Sequence, residues 1–290
     1  MVLTMKKQSL GRFPIFGLLL FVLFSACSTD PDTDPNFLAA RELLDEAYGS
    51  ELRQNLDVYL PAGRSSSTTP LLIYIHGGAW IDGDKNEFLK VKAILEAEFP
   101  NYAFASLNYR LFDFATGTNG ILNQEQDIIA AFDYIESQLS AWNISDDFVI
   151  SGASAGGHLA LLHAYKNNTS NLKAAVAFFP PTDLTELYTF NTITALGLTA
   201  LLAGTPDSAS SNYMSTSPIT HVDSDDVPTI FFHGDLDTVV PISQSELLEQ
   251  KLQEENVRHQ FTRVQGQGHG FKPETYAALL KEAKEFIGEF

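Results

Sequence analysis

Apolar and polar positions alternate along the chain in a pattern that predicts short strands interleaved with longer helices. Short runs rich in β-branched and aromatic side chains have the length and composition of strands. The predicted strands are 55–60, 71–75, 103–107, 148–151, 174–179, 229–233 and 259–264. Strands that alternate with helices build mostly parallel sheets covered on both faces, so the pattern predicts a single α/β domain.

Five longer segments carry apolar residues at helical spacing. In 124–142, Ile128, Phe132, Ile135 and Leu139 recur three or four positions apart, which places them on one face of a helix. The predicted helices are 87–98, 124–142, 157–165, 243–255 and 273–287. The polar segment 63–70 between the first two strands predicts a hairpin turn.

The alternation of strands and helices is interrupted at 180–226, where 184–202 has helical potential and 204–218 is rich in turn residues. We predict a small helical lid here, because long insertions beside an α/β sheet are usually functional. Five apolar residues of this insertion either line a substrate pocket or form the core of the lid itself. They are Leu187, Phe190, Ile193, Leu196 and Leu198.

The N-terminus combines three cations with an apolar stretch, 13–24, that is shorter than a typical membrane span, so 1–26 is predicted to be an export signal. Cys27 is the only cysteine and follows small residues, as at a bacterial lipoprotein processing site. We predict that Cys27 is lipidated; the alternative is an ordinary secretory signal with an incidental cysteine. Residues 27–36 are acidic and contain two prolines, which is typical of a flexible tether.

These features predict a folded domain at 37–290, held by a lipid anchor to a membrane of the bacterial cell envelope. The formal net charge is −18, with 18 basic and 36 acidic residues. This charge repels phosphate backbones, so no nucleic acid partner is expected. No spacing of histidines and carboxylates suggests a metal site, and no cofactor is expected.

The pentapeptide Gly152-Ala153-Ser154-Ala155-Gly156 lies where the predicted strand 148–151 gives way to the helix at 157–165. A serine hydroxyl is a weak nucleophile, so it needs a sharp turn that exposes it to a base and to a stabilising amide. The two glycines allow strand and helix to approach at such a turn. Ser154 is therefore a candidate nucleophile.

Three other motifs follow buried strands in the order that a serine-first triad requires. His76-Gly77-Gly78-Ala79-Trp80 could direct backbone amides at a ligand, although a plain tight turn would look the same. His233-Gly234-Asp235-Leu236-Asp237 supplies two carboxylates, and Gly268-His269-Gly270 supplies a candidate base. His158 also lies near Ser154, but a serine on such a turn points away from the helix that follows it.

The motifs H-G-G-A-W, N-Y-R-L at 108–111, G-A-S-A-G-G, H-G-D-x-D-x-x-V-P and G-H-G-F together resemble the α/β-hydrolase esterases, over 55–290. The most similar branches are the hormone-sensitive-lipase-like esterases and the feruloyl or acetyl-xylan esterases. The resemblance implies an α/β-hydrolase sheet and a Ser154, His269 and Asp237 triad that hydrolyses esters. Asp235 competes with Asp237 for the role of the acid, and we expect Asp235 to bond within its own turn.

The resemblance also implies an oxyanion hole formed by the amides of Gly78, Ala79 and Ala155. Ala79 stands where a third glycine is commoner, yet it still offers an N–H group. The expected substrates are short-chain acyl or aryl esters, including acetyl or feruloyl esters of polysaccharides. Two alternatives stay open: an amide or peptide hydrolase with the same triad, and a noncatalytic ligand-binding lipoprotein. Trp80 would either stack on a substrate ring or pack beside the site.

Overall fold

A computed structural model describes residues 37–167 and 171–290. The predicted export signal 1–26, the lipidated Cys27 and the tether 27–36 lie outside these residues and stay predictions. Among the described residues, no helix has both the length and the apolar character needed to cross a bilayer.

The described residues contain one sheet of eight strands in the order β1-β2-β4-β3-β5-β6-β7-β8. Its strands are β1 Arg41–Ala47, β2 Asn55–Leu60, β3 Leu71–Ile75, β4 Ala103–Leu107, β5 Phe148–Ala153, β6 Leu172–Phe178, β7 Thr229–Gly234 and β8 His259–Val264. Strand β2 runs antiparallel to both of its neighbours, whereas all the pairs from β4 to β8 are parallel. The predicted mostly parallel sheet and all seven predicted strands are confirmed.

Two features at the N-terminal edge of the sheet differ from the prediction. Strand β1 was not predicted, because it is a charged, largely exposed edge strand without an apolar alternation. The hairpin predicted at 63–70 is wrong, since β2 pairs with β1 and β4, while both edges of β3 are occupied by β4 and β5. The loop therefore carries the chain from an antiparallel strand to the centre of the sheet.

Helices cover both faces of this sheet. They are α1 Lys92–Glu98, α2 Ile121–Trp142, α3 Ala155–Lys166, α4 Leu184–Tyr188, α5 Thr192–Leu201, α6 Ser210–Thr216, α7 Ser243–Glu254 and α8 Pro273–Ile287, with 3₁₀ helices at Lys85–Lys90 and Pro218–His221. The predicted helix 87–98 is thus divided between a 3₁₀ helix and α1. Helix α6 lies where turns were predicted: its Ser, Asn and Thr residues are poor helix formers, and burial of Tyr213 holds it in place.

Neighbouring residues of each central strand enter different hydrophobic clusters, as the two-residue period of a strand requires. Ile73 and Ile75 belong to the cluster that includes residues of α2, α3 and α7. Leu72 belongs to the cluster that includes residues of α1 and α8. Burial on both faces explains why the central strands read as nearly continuous apolar runs.

Two buried histidines on α3 differ in their hydrogen bonding. His158 accepts a bond from the Trp80 indole N–H at Nδ1 (3.2 Å), and its Nε2 lies 2.7 Å from the Thr216 carbonyl. His163 packs against Phe132 with the ring centroids 4.0 Å apart, and neither of its ring nitrogens has a hydrogen-bond partner among the described residues. Burial lowers the pKa of both imidazoles to about 4, so both are neutral in the folded protein near pH 7.

We expect His163→Leu to raise the free energy of unfolding by about 1–3 kcal/mol, because it removes a desolvated imidazole without partners. The gain should grow as the pH falls from about 6.5 toward 4, where the unfolded chain binds a proton that the folded imidazole does not. Urea unfolding at pH 7 and pH 5 measures both effects. His158→Leu is the matched control and should destabilise at pH 7, since Trp80 and Thr216 lose their partner. Equal destabilisation by both variants would contradict this prediction.

Candidate active site

Ser154 occupies the turn between β5 and α3 with a positive φ of 55° and a ψ of −124°. Such a conformation costs about 1–3 kcal/mol for a residue with a side chain, so the surroundings must enforce it. A Cβ on Gly152 would lie 2.3 Å from the Gly156 carbonyl oxygen, and one on Gly156 would lie 2.1 Å from that of Ile75. The two glycines therefore permit the strand, the helix and the end of β3 to meet behind Ser154.

The structure brings Ser154, His269 and Asp237 together at the carboxyl edge of the sheet. His269, in the loop after β8, places Nε2 2.9 Å from Ser154 Oγ and Nδ1 2.7 Å from Asp237 Oδ2. The loops after β5, β7 and β8 meet here because parallel strands end at the same edge. His269 packs against Phe179, with 21% of its side chain exposed, while the Asp237 side chain is fully buried.

The Asp237 carboxylate is held by several donors. Its Oδ1 accepts bonds from the amides of Val239 (2.8 Å) and Val240 (3.0 Å), and His233 Nε2 lies 3.3 Å from Oδ2. Burial alone would raise the pKa of Asp237, but the hydrogen bonds from His233 and His269 outweigh burial and hold the pKa well below its usual value. Asp237 is therefore an ionised acceptor with a defined orientation toward His269.

The competing residues lie apart from this hydrogen-bonded chain. Asp235 Oδ1 accepts a bond of 2.6 Å from the amide of Gly266, in the loop after β8. Our expectation that Asp235 bonds within its own turn is therefore wrong. The described contacts of His158 are with Trp80 and Thr216, so His158 supports the indole and does not reach Ser154.

The loop after β3 lies beside Ser154. Gly78 and Ala79 have positive φ values of 108° and 51°, and both line a cavity together with Ser154. A Cβ on Gly78 would lie 2.0 Å from the Asp82 carbonyl oxygen, so only glycine fits there. Ala155 is the first residue of α3, and amides of a first helical turn have no acceptor within the helix. These placements fit the predicted oxyanion hole, whose role stays a prediction.

Arg53 supports this loop, and sequence reasoning did not find it. Its guanidinium donates to the carbonyls of Gly83 (2.8 Å) and Tyr109 (2.9 Å) and to Asn108 Oδ1 (3.0 Å). The same guanidinium lies 3.3 Å from His76 Nε2. The N-Y-R-L motif contains two of its partners, Asn108 and Tyr109, but Arg53 itself precedes the first predicted strand and carries no motif.

Two cavities meet at Ser154, and both include Ala79, Ile81 and Val239 in their walls. We call the first the His269 cavity; it measures about 570 Å³ and includes Tyr74, Asp82, Glu87, Lys90, His269 and Tyr276. We call the second the insertion cavity; it measures about 450 Å³ and includes Trp80, Phe114, Leu187, Ile193, Leu196 and Leu201.

Four of the five apolar residues named in the insertion have one or both of the roles that the sequence left open, whereas Phe190 belongs to neither the core cluster nor the cavity wall. Leu187 and Leu198 are buried in the hydrophobic core and also reach the wall of the insertion cavity. Ile193 and Leu196 line the same cavity, yet they are 84% and 68% exposed. Trp80 is buried and hydrogen-bonded to His158, so it packs beside the site while forming part of the cavity wall.

The close contacts of Gly156 give a direct test of this turn. We expect Gly156→Ala to lower the free energy of unfolding by about 1–3 kcal/mol, because the new Cβ overlaps the carbonyl oxygens of Ile75 and His76. Gly197→Ala, also within a helix, is the matched control: its Cβ meets nothing within 4 Å. The control should stabilise the protein by roughly 0.5–1 kcal/mol. Guanidinium unfolding measures both, and equal effects would contradict the prediction.

The comparisons with known proteins agree with this architecture. Residues 56–252 match the model of the BD-FAE family. The probable carboxylic ester hydrolase LipM of Mycobacterium tuberculosis is 30% identical over 217 residues, which is 69% of this chain and 49% of LipM. The chain spans about half the length of the curated relatives it matches.

Two solved structures are similar at 25% identity. A truncated carbohydrate esterase from gut microbiota has a TM-score of 0.74, covering 87% of this chain and 96% of that one. A bifunctional GH43-CE protein of Bacteroides eggerthii has a TM-score of 0.72, covering 86% of this chain and 35% of that one. The fold agrees with these structures, and the family match includes Ser154 and Asp237; the chain is an α/β-hydrolase that belongs to the BD-FAE family.

Proposed function

We propose that this protein hydrolyses carboxylic esters through a covalent acyl-enzyme at Ser154. The observation that carries the proposal is the position of His269, whose two ring nitrogens lie within hydrogen-bond distance of Ser154 Oγ and Asp237 Oδ2. A serine with an aligned imidazole and an ionised carboxylate is the arrangement that activates a hydroxyl for acyl transfer.

In the first half of the proposed reaction, Ser154 Oγ attacks the ester carbonyl carbon while His269 Nε2 takes the hydroxyl proton. Asp237 stabilises the imidazolium that forms and keeps its Nδ1 proton directed at Oδ2. The carbonyl oxygen becomes an oxyanion, which the amides of Gly78, Ala79 and Ala155 are proposed to bind. The bond from the carbonyl carbon to the alcohol oxygen then breaks, and His269 returns the proton to the leaving alcohol.

In the second half, water attacks the carbonyl carbon of the acyl-enzyme. His269 takes a proton from this water, and the bond between the carbonyl carbon and Ser154 Oγ breaks. The proton passes from His269 to Ser154 Oγ, which restores the free hydroxyl and releases the carboxylic acid. No group beyond the described side chains, the ester and water is needed to balance either half.

The relatives support the proposed substrate class. LipM is named a probable carboxylic ester hydrolase, and the two similar structures are a carbohydrate esterase and a protein with a GH43-CE designation. We therefore propose esters of short acyl or aryl acids, including esters carried by carbohydrates, as substrates.

The test uses the domain from residue 37 onward and p-nitrophenyl acetate and butyrate. We expect hydrolysis of both esters and stoichiometric labelling by a fluorophosphonate. Ser154→Ala should abolish labelling and lower kcat by at least about 10³-fold. Ser137→Ala, a serine on the exposed side of α2, is the control and should behave as the parent chain. Absence of ester turnover in the parent would overturn the proposal, whereas equal turnover of p-nitroacetanilide would favour an amide hydrolase.

A pair of carboxylate variants separates Asp237 from its competitor Asp235. Asp237→Asn should lower kcat by about 10⁴-fold, because an amide can neither stabilise the imidazolium nor hold the productive tautomer. Asp235→Asn should change kcat by less than about tenfold, since its carboxylate bonds only the amide of Gly266 among the described contacts. Steady-state kinetics on p-nitrophenyl butyrate measures both, and the reverse order of effects would show Asp235 to be the acid.

A further inference from the structure

We propose that the insertion cavity receives the acyl group of the substrate and that the His269 cavity receives the alcohol. The inference rests on the proposed ester hydrolysis and adds the substrate class: esters that join an apolar acyl chain longer than acetyl to a polar alcohol. The shape of the insertion around α5 then sets the preference for acyl chain length.

The path of the proton decides which half of the ester enters which cavity. His269 must return a proton to the leaving alcohol, so that oxygen has to lie within hydrogen-bond distance of Nε2. His269 forms part of the wall of the His269 cavity but is not among the described residues that line the insertion cavity. The alcohol therefore leaves through the His269 cavity, and the acyl group extends from the carbonyl carbon to the other side of Ser154.

Deacylation leads to the same assignment. The hydrolytic water must also contact His269, so it has to occupy the space that the alcohol has vacated. An acyl group in the His269 cavity would block that position. An acyl group in the insertion cavity stays bound while alcohol and water exchange on the opposite side.

The chemistry of the two walls matches this division. The insertion cavity is surrounded by Trp80, Phe114, Leu187 and Leu201, with Ile193 and Leu196 exposed at its edge. Covering those exposed side chains with an alkyl chain removes apolar surface from water, which is favourable.

The His269 cavity has a different wall. Asp82, Glu87, Lys90, Tyr74 and Tyr276 lie there, beside apolar residues that include Val91, Leu95, Phe178 and Leu280. The five polar side chains can bond to hydroxyl groups, so an alcohol that carries hydroxyl groups fits this cavity better than the insertion cavity.

The size of the insertion cavity favours longer acyl groups over acetyl. Its volume is about 450 Å³, and a single methyl group would leave most of that space to water. Each additional methylene buried against an apolar wall is worth about fourfold in kcat/KM. We therefore expect kcat/KM to rise from acetate to hexanoate by about tenfold or more.

Gly197 offers a position from which to fill the insertion cavity. It lies on α5 in the cavity wall, has an ordinary helical backbone, and a Cβ built there meets nothing within 4 Å. A phenylalanine at this position should occupy the space without displacing the helix. Gly197→Leu is a smaller version of the same change, and thermal unfolding monitored by circular dichroism verifies that both variants fold.

The experiment measures two selectivity ratios. The acyl ratio compares kcat/KM for p-nitrophenyl hexanoate and p-nitrophenyl acetate, and the alcohol ratio compares 4-methylumbelliferyl butyrate with methyl butyrate. Gly197→Phe should lower the acyl ratio by about tenfold or more and leave the alcohol ratio within about twofold, with a smaller loss for Gly197→Leu. Thr192→Phe adds the same ring to an exposed position of α5 outside both cavities, and its ratios should match those of the parent.

The complementary variant is Lys90→Trp, at an exposed position of the His269 cavity. It should change the alcohol ratio and leave the acyl ratio within about twofold. Suppose that the parent chain hydrolyses these esters. If Gly197→Phe then leaves the acyl ratio unchanged, or changes the alcohol ratio instead, the assignment of the two cavities is wrong and the proposed function stands. A parent chain that hydrolyses none of them would overturn the proposed function as well.

Discussion

The carbonyl oxygens of Ile75 and His76 lie where a side chain on Gly156 would have to be, and the Gly156 carbonyl lies where one on Gly152 would be. This backbone contact lets β3, β5 and α3 meet closely enough to hold Ser154 in its conformation of positive φ. The Ser154 amide also donates to the Phe178 carbonyl at the end of β6 (2.9 Å), which ties the turn to a third strand. A looser junction would allow the backbone to relax, and the hydroxyl would no longer lie beside His269.

A second constraint is the buried negative charge of Asp237. Removing a carboxylate from water is costly unless donors replace the lost hydration, and the amides of Val239 and Val240 together with His233 and His269 supply them. The loop after β7 therefore folds around the carboxylate and aims one oxygen at the loop after β8. His233 is in turn oriented by Ser245, at 2.7 Å, so α7 takes part in positioning the acid.

Some apolar residues of the insertion stabilise the fold, and others stay exposed at the site. Leu187 and Leu198 attach it to the hydrophobic core, whereas Ile193 and Leu196 remain exposed at the edge of a cavity. Exposed aliphatic side chains forgo the favourable burial that the rest of the sheet and its helices achieve. Both side chains line the cavity that includes Ser154, so an apolar group bound there would cover them and remove their surface from water. The polar residues on the other side of Ser154 make the site chemically asymmetric.

The sequence by itself determined the strands and most of the helices, because the apolar period is a local property. Its motifs made Ser154 and His269 candidates, whereas the choice of Asp237 over Asp235 came from the resemblance to the esterases. It did not reveal β1, whose pairing with β2 depends on a partner rather than on its own charged residues, and it misread the loop 63–70 as a hairpin. The partner of Asp235, the support from Arg53 and the two cavities were decided only by the tertiary structure. Each of these brings together residues that are far apart in the chain. Arg53 bonds to Asn108, and Ser154 and Leu196 line one cavity. A local sequence pattern does not show which distant residues will meet.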